Sequence, residues 1–178
     1  MTARTVPASP NFFAGQKLTG TVMNQISTVQ NFWSSPPMFS MHQASAQSVA
    51  NSTYAQITMD TSDWDTDAGR AGTTPWSYVI PAGMTGRWEF TAHVAWGTNS
   101  AGNRLLAIYK NGTIFSESEV SEPTTSSANF CELQTTLTMS VNAGDVMSVW
   151  SFQASGASLS TAAGLSFFEG RLLSLATP

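Results

Sequence analysis

Two periods divide the chain. Between Thr21 and Trp33 the apolar residues Val22, Ile26, Val29 and Trp33 recur at intervals of four, three and four, which places them on one face of an α-helix. Thr19 or Thr21 can cap its start, and the run SSPPMF ends it, because Pro36 and Pro37 lack amide donors and helical freedom. A helix of about thirteen residues with several β-branched positions is marginal alone in water. It therefore needs a surface to lean on, either its own body or a neighbouring subunit, and Val22, Ile26, Val29, Phe32 and Trp33 are the docking candidates.

From about Tyr54 the period becomes two. In WEFTAHVAW, residues 88 to 96, Trp88, Phe90, Ala92, Val94 and Trp96 share one face, with Glu89, Thr91 and His93 on the other. CELQTTLTMSV, residues 131 to 141, repeats the alternation and makes Cys131 a core residue. Further strands are expected at 55–60, 77–81, 104–110, 113–118, 146–152 and 165–174, separated by turn signals. The Asn111-Gly112 pair suits the positive φ angles of a type I′ turn, so 104–118 reads as a hairpin. Short strands without helical crossovers imply an all-β fold, an antiparallel β-sandwich or jelly roll, behind a short helical arm. The arm is assigned to 1–40 and the body to 41–178. The run VMSVWSF, residues 146 to 152, is apolar at both parities, as a strand covered on both faces would be.

Composition narrows the class. Charged residues make up 10% of 178, net charge is −4, and Ser and Thr supply roughly a quarter, so hydroxyls keep this surface wet. Seven Lys and Arg cannot furnish a phosphate-tracking groove, which argues against nucleic acid. No run of eighteen apolar residues suggests a membrane span, and the N-terminus has no apolar stretch of a secretory signal. With one cysteine, no disulfide forms within the chain.

The order of the body's signals resembles a family. A strand, the stretch DTSDWDTDAG, then YVIPAGMTGRWEFTAHVAW, LAIYKNGTI, LTMSVNAGDVMSVW and finally SFFEGRLLS together resemble the globular heads of complement-type proteins and the related tumour-necrosis-factor-like (TNF-like) jelly rolls. The elements are carried by Pro81, Gly86, Trp88, Phe90, Asn111, Gly112, Gly144, Asp145, Phe168, Gly170, Leu172 and Leu173. This resemblance spans residues 54 to 174 and implies a homotrimer. With it, Val149, Trp150, Phe168 and Leu172 on the last two strands become the expected trimer interface. The opening GQKLTGTVMNQISTVQNFWSSPPMF resembles the arms of minor tail, fibre or head-decoration proteins of tailed bacteriophages. That resemblance implies a virion structural protein on the particle surface, made in the host cytoplasm, with the major capsid protein or tail proteins as partners. A host-surface glycan-binding module is the alternative.

Candidate chemistry is sparse. Four aspartates fall within eight residues, at 60, 63, 65 and 67. Counted from Asp63, an EF-hand would want Gly at Ala68 and Glu at Thr74, so that loop type fails. Asp63, Asp65 and Asp67 remain open to turn-shaping, to an irregular calcium site or to a basic partner. Trp64 and Trp76 flank the stretch and could stack on sugars or cap the core. His93 lies too far along its strand from Glu89 to bond with it, and Glu117 and Glu119 suit a solvated edge better than a glycosidase pair. No catalytic residue, metal ligand or cofactor site is expected, and the chain reads as a non-enzyme.

Overall fold

The computed structural model describes residues 4–123 and 130–176. One helix, α1 (Gly20–Ser34), precedes fourteen described strands: β1 (Met38–His42), β2 (Ser48–Val49), β3 (Thr53–Gln56), β4 (Thr61–Asp65), β5 (Arg70–Ala71), β6 (Ser77–Val79) and β7 (Gly86–Trp96). They continue as β8 (Asn103–Lys110), β9 (Thr113–Ile114), β10 (Val120–Pro123), β11 (Cys131–Val141), β12 (Val146–Gln153), β13 (Leu159–Ser160) and β14 (Phe167–Leu175). Two antiparallel sheets face each other. The first has the order β11-β7-β14-β1-β4; the second runs β10-β8-β12-β6-β5, with β3 also on β12 and β9 on β8. The jump from β1 to β14 at the centre of the first sheet pairs the two ends of the body and is the jelly-roll crossover.

The alternation of β7 organises the core as expected. Trp88, Phe90, Ala92, Val94 and Trp96 are fully buried, while Glu89, Thr91 and His93 face outward. Rings from three strands pack around them. Phe39 stacks on Tyr78 with centroids 3.7 Å apart and meets Phe168 edge-on at 5.1 Å, and Phe90 lies 6.0 Å from both Trp88 and Phe168. Each such side chain removed from water contributes about 1.5–3 kcal/mol. Gly170 leaves the space those rings need: a Cβ there would lie 2.5 Å from Phe39 Cε1 and 2.8 Å from Phe90 Cδ1.

The Asn111-Gly112 turn has φ of 53° and 75°, as a type I′ turn requires. Its hairpin is shorter than expected. β9 ends at Ile114 and the chain enters a 3-10 turn, Ser116–Ser118, because the Ser118 side chain turns inward. Its buried Oγ accepts from the Ile108 amide at 2.8 Å and lies 3.2 Å from the Ile108 carbonyl, taking the place of the next ladder rung. The aspartate stretch also departs from a plain surface connection. Its first half is β4, an edge strand on β1, with a bulge at Asp63 where Ser40 pairs with Trp64 and Met41 with Ser62. β1 starts at Met38, so the last residues assigned to the arm already belong to the sheet.

Three of the four expected trimer-interface residues are core. Val149, Phe168 and Leu172 are each at most 2% exposed within the single chain, so their side chains hold the two sheets together and cannot face a neighbour. Parity explains the correction: on β12, Met147, Val149 and Ser151 point inward while Trp150 and Phe152 point out, and on β14 Phe168, Gly170 and Leu172 form the inner row. Trp150 alone of the four retains surface.

Gly170→Ala should lower unfolding stability by about 1–3 kcal/mol through overpacking against Phe39 and Phe90, read as a shifted denaturant midpoint with an unchanged slope.

Candidate functional site

The four aspartates have distinct structural tasks. Asp60 Oδ1 accepts the Ala44 amide at 2.7 Å, joining the ends of β1 and β4. Asp63, the bulged residue, accepts from Ser40 Oγ at 3.0 Å and lies 3.0 Å from His42 Nδ1. Asp65 accepts three loop amides, those of Asp67, Gly69 and Arg70, at 3.3, 3.2 and 3.0 Å. This is the turn-shaping chemistry of a short carboxylate. Among the described residues no group of three or more His, Cys, Asp or Glu side chains is placed to hold a metal ion.

Asp67 does something else. Its side chain is fully buried and receives the Arg4 backbone amide at 3.0 Å, Arg4 Nε at 2.9 Å and Arg4 Nη2 at 2.7 Å, with Thr66 Oγ1 donating at 2.6 Å. The basic group that the loop meets is thus in its own chain. Arg4 also donates to the Ser35 carbonyl at 2.6 Å and lies 5.5 Å above the Phe32 ring, so one guanidinium ties the N-terminal segment, the end of α1 and the loop after β4. Burial opposes ionisation of Asp67, but the hydrogen bonds from Arg4 and Thr66 outweigh it and hold the carboxyl below the usual carboxylate range.

The clamp holds one end of the arm only. α1 is capped by Thr19, whose Oγ1 accepts the Val22 amide, and Phe32 near its C-terminus is buried in the core cluster. Val22, Ile26 and Val29 are half-buried, and Trp33 is exposed. Beyond them, Phe12, Phe13, Leu18 and Met23 are 57%, 73%, 66% and 51% exposed. Of the expected docking residues, then, Phe32 is the one the body fully covers. The arm's N-terminal strip of apolar residues was not singled out from sequence, because the turn bonded from Gln16 N to Phe13 O leaves no periodic signal.

The two tryptophans are not brought together. Trp64 stands on the outer face of the first sheet, 49% exposed, at the rim of a groove of about 280 Å³ that Met38, Thr91, Glu169 and the Glu89–Arg171 ion pair also line. That ion pair spans 2.9 Å. An exposed indole beside charged and hydroxyl groups can seat a sugar ring. Trp76 packs against the core and lies under the Arg70 guanidinium, 4.0 Å from its ring centroid, so its face is already covered. His93 lies 2.7 Å from the Leu165 carbonyl and 3.8 Å from Glu132, while Glu89 pairs with Arg171. Glu117 sits in the 3-10 turn, and Glu119 accepts weakly from the Tyr54 hydroxyl at 3.4 Å. Cys131 is half-buried against the core, and burial pushes its thiol up, away from the reactive thiolate.

Solved structures with a similar fold identify the architecture. The globular domain of a zebrafish complement 1qA protein superposes with a TM-score of 0.56 at 14% identity, over 79% of this chain and all of that one. The body has the jelly-roll fold of the TNF and complement-type globular domains. Eiger TNF from S. frugiperda gives 0.59 at 12% identity, covering 80% and 97% of the two chains. A phage protein shares the fold as well: PRD1 vertex protein P5 gives 0.51 at 16% identity, covering 78% of this jelly-roll chain and 97% of that one. No family model matches the sequence, and no curated protein is significantly similar to it.

Asp67→Asn should loosen the arm at a cost of about 1–3 kcal/mol, the range for a buried group that loses its partner. Amide exchange in α1 should quicken while that in β7 stays slow. Because the folded-state Asp67 is the stronger acid, its contribution is complete above about pH 4, the ordinary aspartate value, and fades as pH falls through its depressed value. The Arg4 Nε–H resonance should therefore persist at pH 5 and disappear only in stronger acid.

Proposed function

We propose that the chain is a structural protein of a bacteriophage virion, a trimeric jelly-roll body attached by its N-terminal arm to the capsid or tail surface. The observation that carries this reading is α1 itself. A charge-free helix is held to the sandwich at one end by Phe32 and the Arg4 clamp, with Val22, Ile26, Val29 and Trp33 in a seam that the sheets do not absorb. A helix of this length needs tertiary contact to persist. A virion partner that takes up the seam supplies it. The fold shared with a phage vertex protein supports the same reading, as does a surface wetted mainly by hydroxyls. The mechanism is binding alone.

Replacing Ile26 and Val29 with Asp should prevent incorporation into particles while circular dichroism shows an intact sheet, and normal incorporation would refute the seam as anchor. By light scattering, the purified protein should weigh three times the 19.0 kDa chain across a dilution series.

A second reading, attachment to a host-surface glycan, is favoured by the indole of Trp64 over its groove. Saturable signal on a glycan array that Trp64→Ala abolishes would support it; a blank array would remove it.

A further inference from the structure

One apolar surface of the chain is exposed and a second is half-buried, and their chemistry matches. The first is the arm tip, where Phe12, Phe13 and Leu18 are the most exposed large apolar side chains among the described residues. Lys17 stands between them, the one charged side chain from residue 5 to residue 41. The second is the outer face of the second sheet. Register pairs Trp150 with Ala107 and Phe152 with both Leu105 and Tyr54, so these side chains share the side away from the core. Tyr109 stacks on Trp150 at 4.8 Å and Tyr54 meets Phe152 at 5.1 Å, which sets two aromatic pairs on this face. It carries a carboxylate. Glu119 lies at the Tyr54 hydroxyl and acts on the Tyr109 phenol too: burial raises both phenols, and the Glu119 charge raises them further.

A segment that carries a cation among aromatic and aliphatic side chains thus complements a sheet face that carries an anion among aromatic and aliphatic side chains. Within one chain they do not meet, since the tip stays exposed. α1 is about 22 Å long at 1.5 Å per residue, and its far end is clamped beside Asp67, so it carries the tip outward. We infer that each arm tip lies on the second sheet of a neighbouring copy, Phe12, Phe13 and Leu18 against Leu105, Trp150 and Phe152, with Lys17 beside Glu119. The contact is heterologous, so every copy is satisfied only when the ring closes. It rests on the homotrimer proposed above, in which each arm crosses to the next subunit and leaves the Val22, Ile26 and Val29 seam for the virion.

The test uses full-length protein with Cys131→Ser. Chains carrying Phe13→Cys are mixed with chains carrying Leu105→Cys, allowed to exchange and oxidised. A disulfide joining the two kinds of chain, faster than any formed by either alone, is the expected result. Lys17→Glu and Glu119→Lys should each weaken association by up to about fivefold, as an exposed ion pair does, and their combination should restore it. No mixed disulfide would overturn the inference, as would an undiminished trimer in Phe12→Asp/Phe13→Asp protein. A disulfide closing inside a single chain that carries both cysteines, formed at high dilution, would overturn it too. A trimer without the cross-link removes only this contact, whereas a monomer at every concentration removes the trimer as well; virion incorporation of the Ile26 and Val29 variants is read separately.

Discussion

A carboxylate taken out of water must find a cation or lose its charge, and in this protein that constraint falls on Asp67. Its partner is Arg4, sixty-three residues away in the chain and otherwise part of a loose N-terminal segment. The ion pair has one fully buried member and one member a third exposed, so Arg4 keeps some hydration while Asp67 gives up all of it. Desolvation of this kind consumes much of the Coulombic gain, which makes the bond a device of position more than of stability. Position is what it supplies. Thr66 Oγ1 donates to Asp67 and also accepts the amide of Met38, the first residue of β1, so the clamp is continuous with the central strand order of the first sheet.

From that point the two layers have separate tasks. The inner rows of β1, β6, β7 and β14 form an aromatic core whose fit depends on a missing Cβ at Gly170. The outer rows differ from each other. On the first sheet Glu89 pairs with Arg171 and Asp63 lies beside His42, with threonines and one proud indole around them. On the second sheet the outer row is aromatic and nearly without charge. A chain with 10% charged residues cannot cover both faces with ions, and hydroxyls and rings take their place. The consequence is a body that meets partners by shape and apolar contact, with few long-range electrostatic instructions.

How much could be read beforehand depends on the range of the interaction. β7 and β11 were legible residue by residue because alternation is a local property of a half-buried strand, and the Asn111-Gly112 turn was legible because two positive φ angles leave few residue types free. α1 was legible to within one residue at each end through its period and a threonine cap, left open between Thr19 and Thr21 until the structure chose Thr19. β1, β4 and β10 were not, since Met38–His42 is buried too evenly to alternate and short edge strands carry little pattern. The end of β9 turned on Ser118 bonding to Ile108, a contact invisible to any window of neighbours.

The sequence by itself therefore determined the class of the protein: a two-layer β body and a single amphipathic helix ahead of it. Both follow from periodicity and turn chemistry, which act over a few residues. Only the tertiary structure decided which apolar residues are core and which are surface, moving Val149, Phe168 and Leu172 inside and leaving Phe12, Phe13 and Trp150 with faces outward. It alone matched Asp67 with Arg4. The physical reason is common to both: hydrophobicity says that a side chain is better buried, but what buries it, and which charge finds which, is set by chain segments that meet only after the sheets have closed.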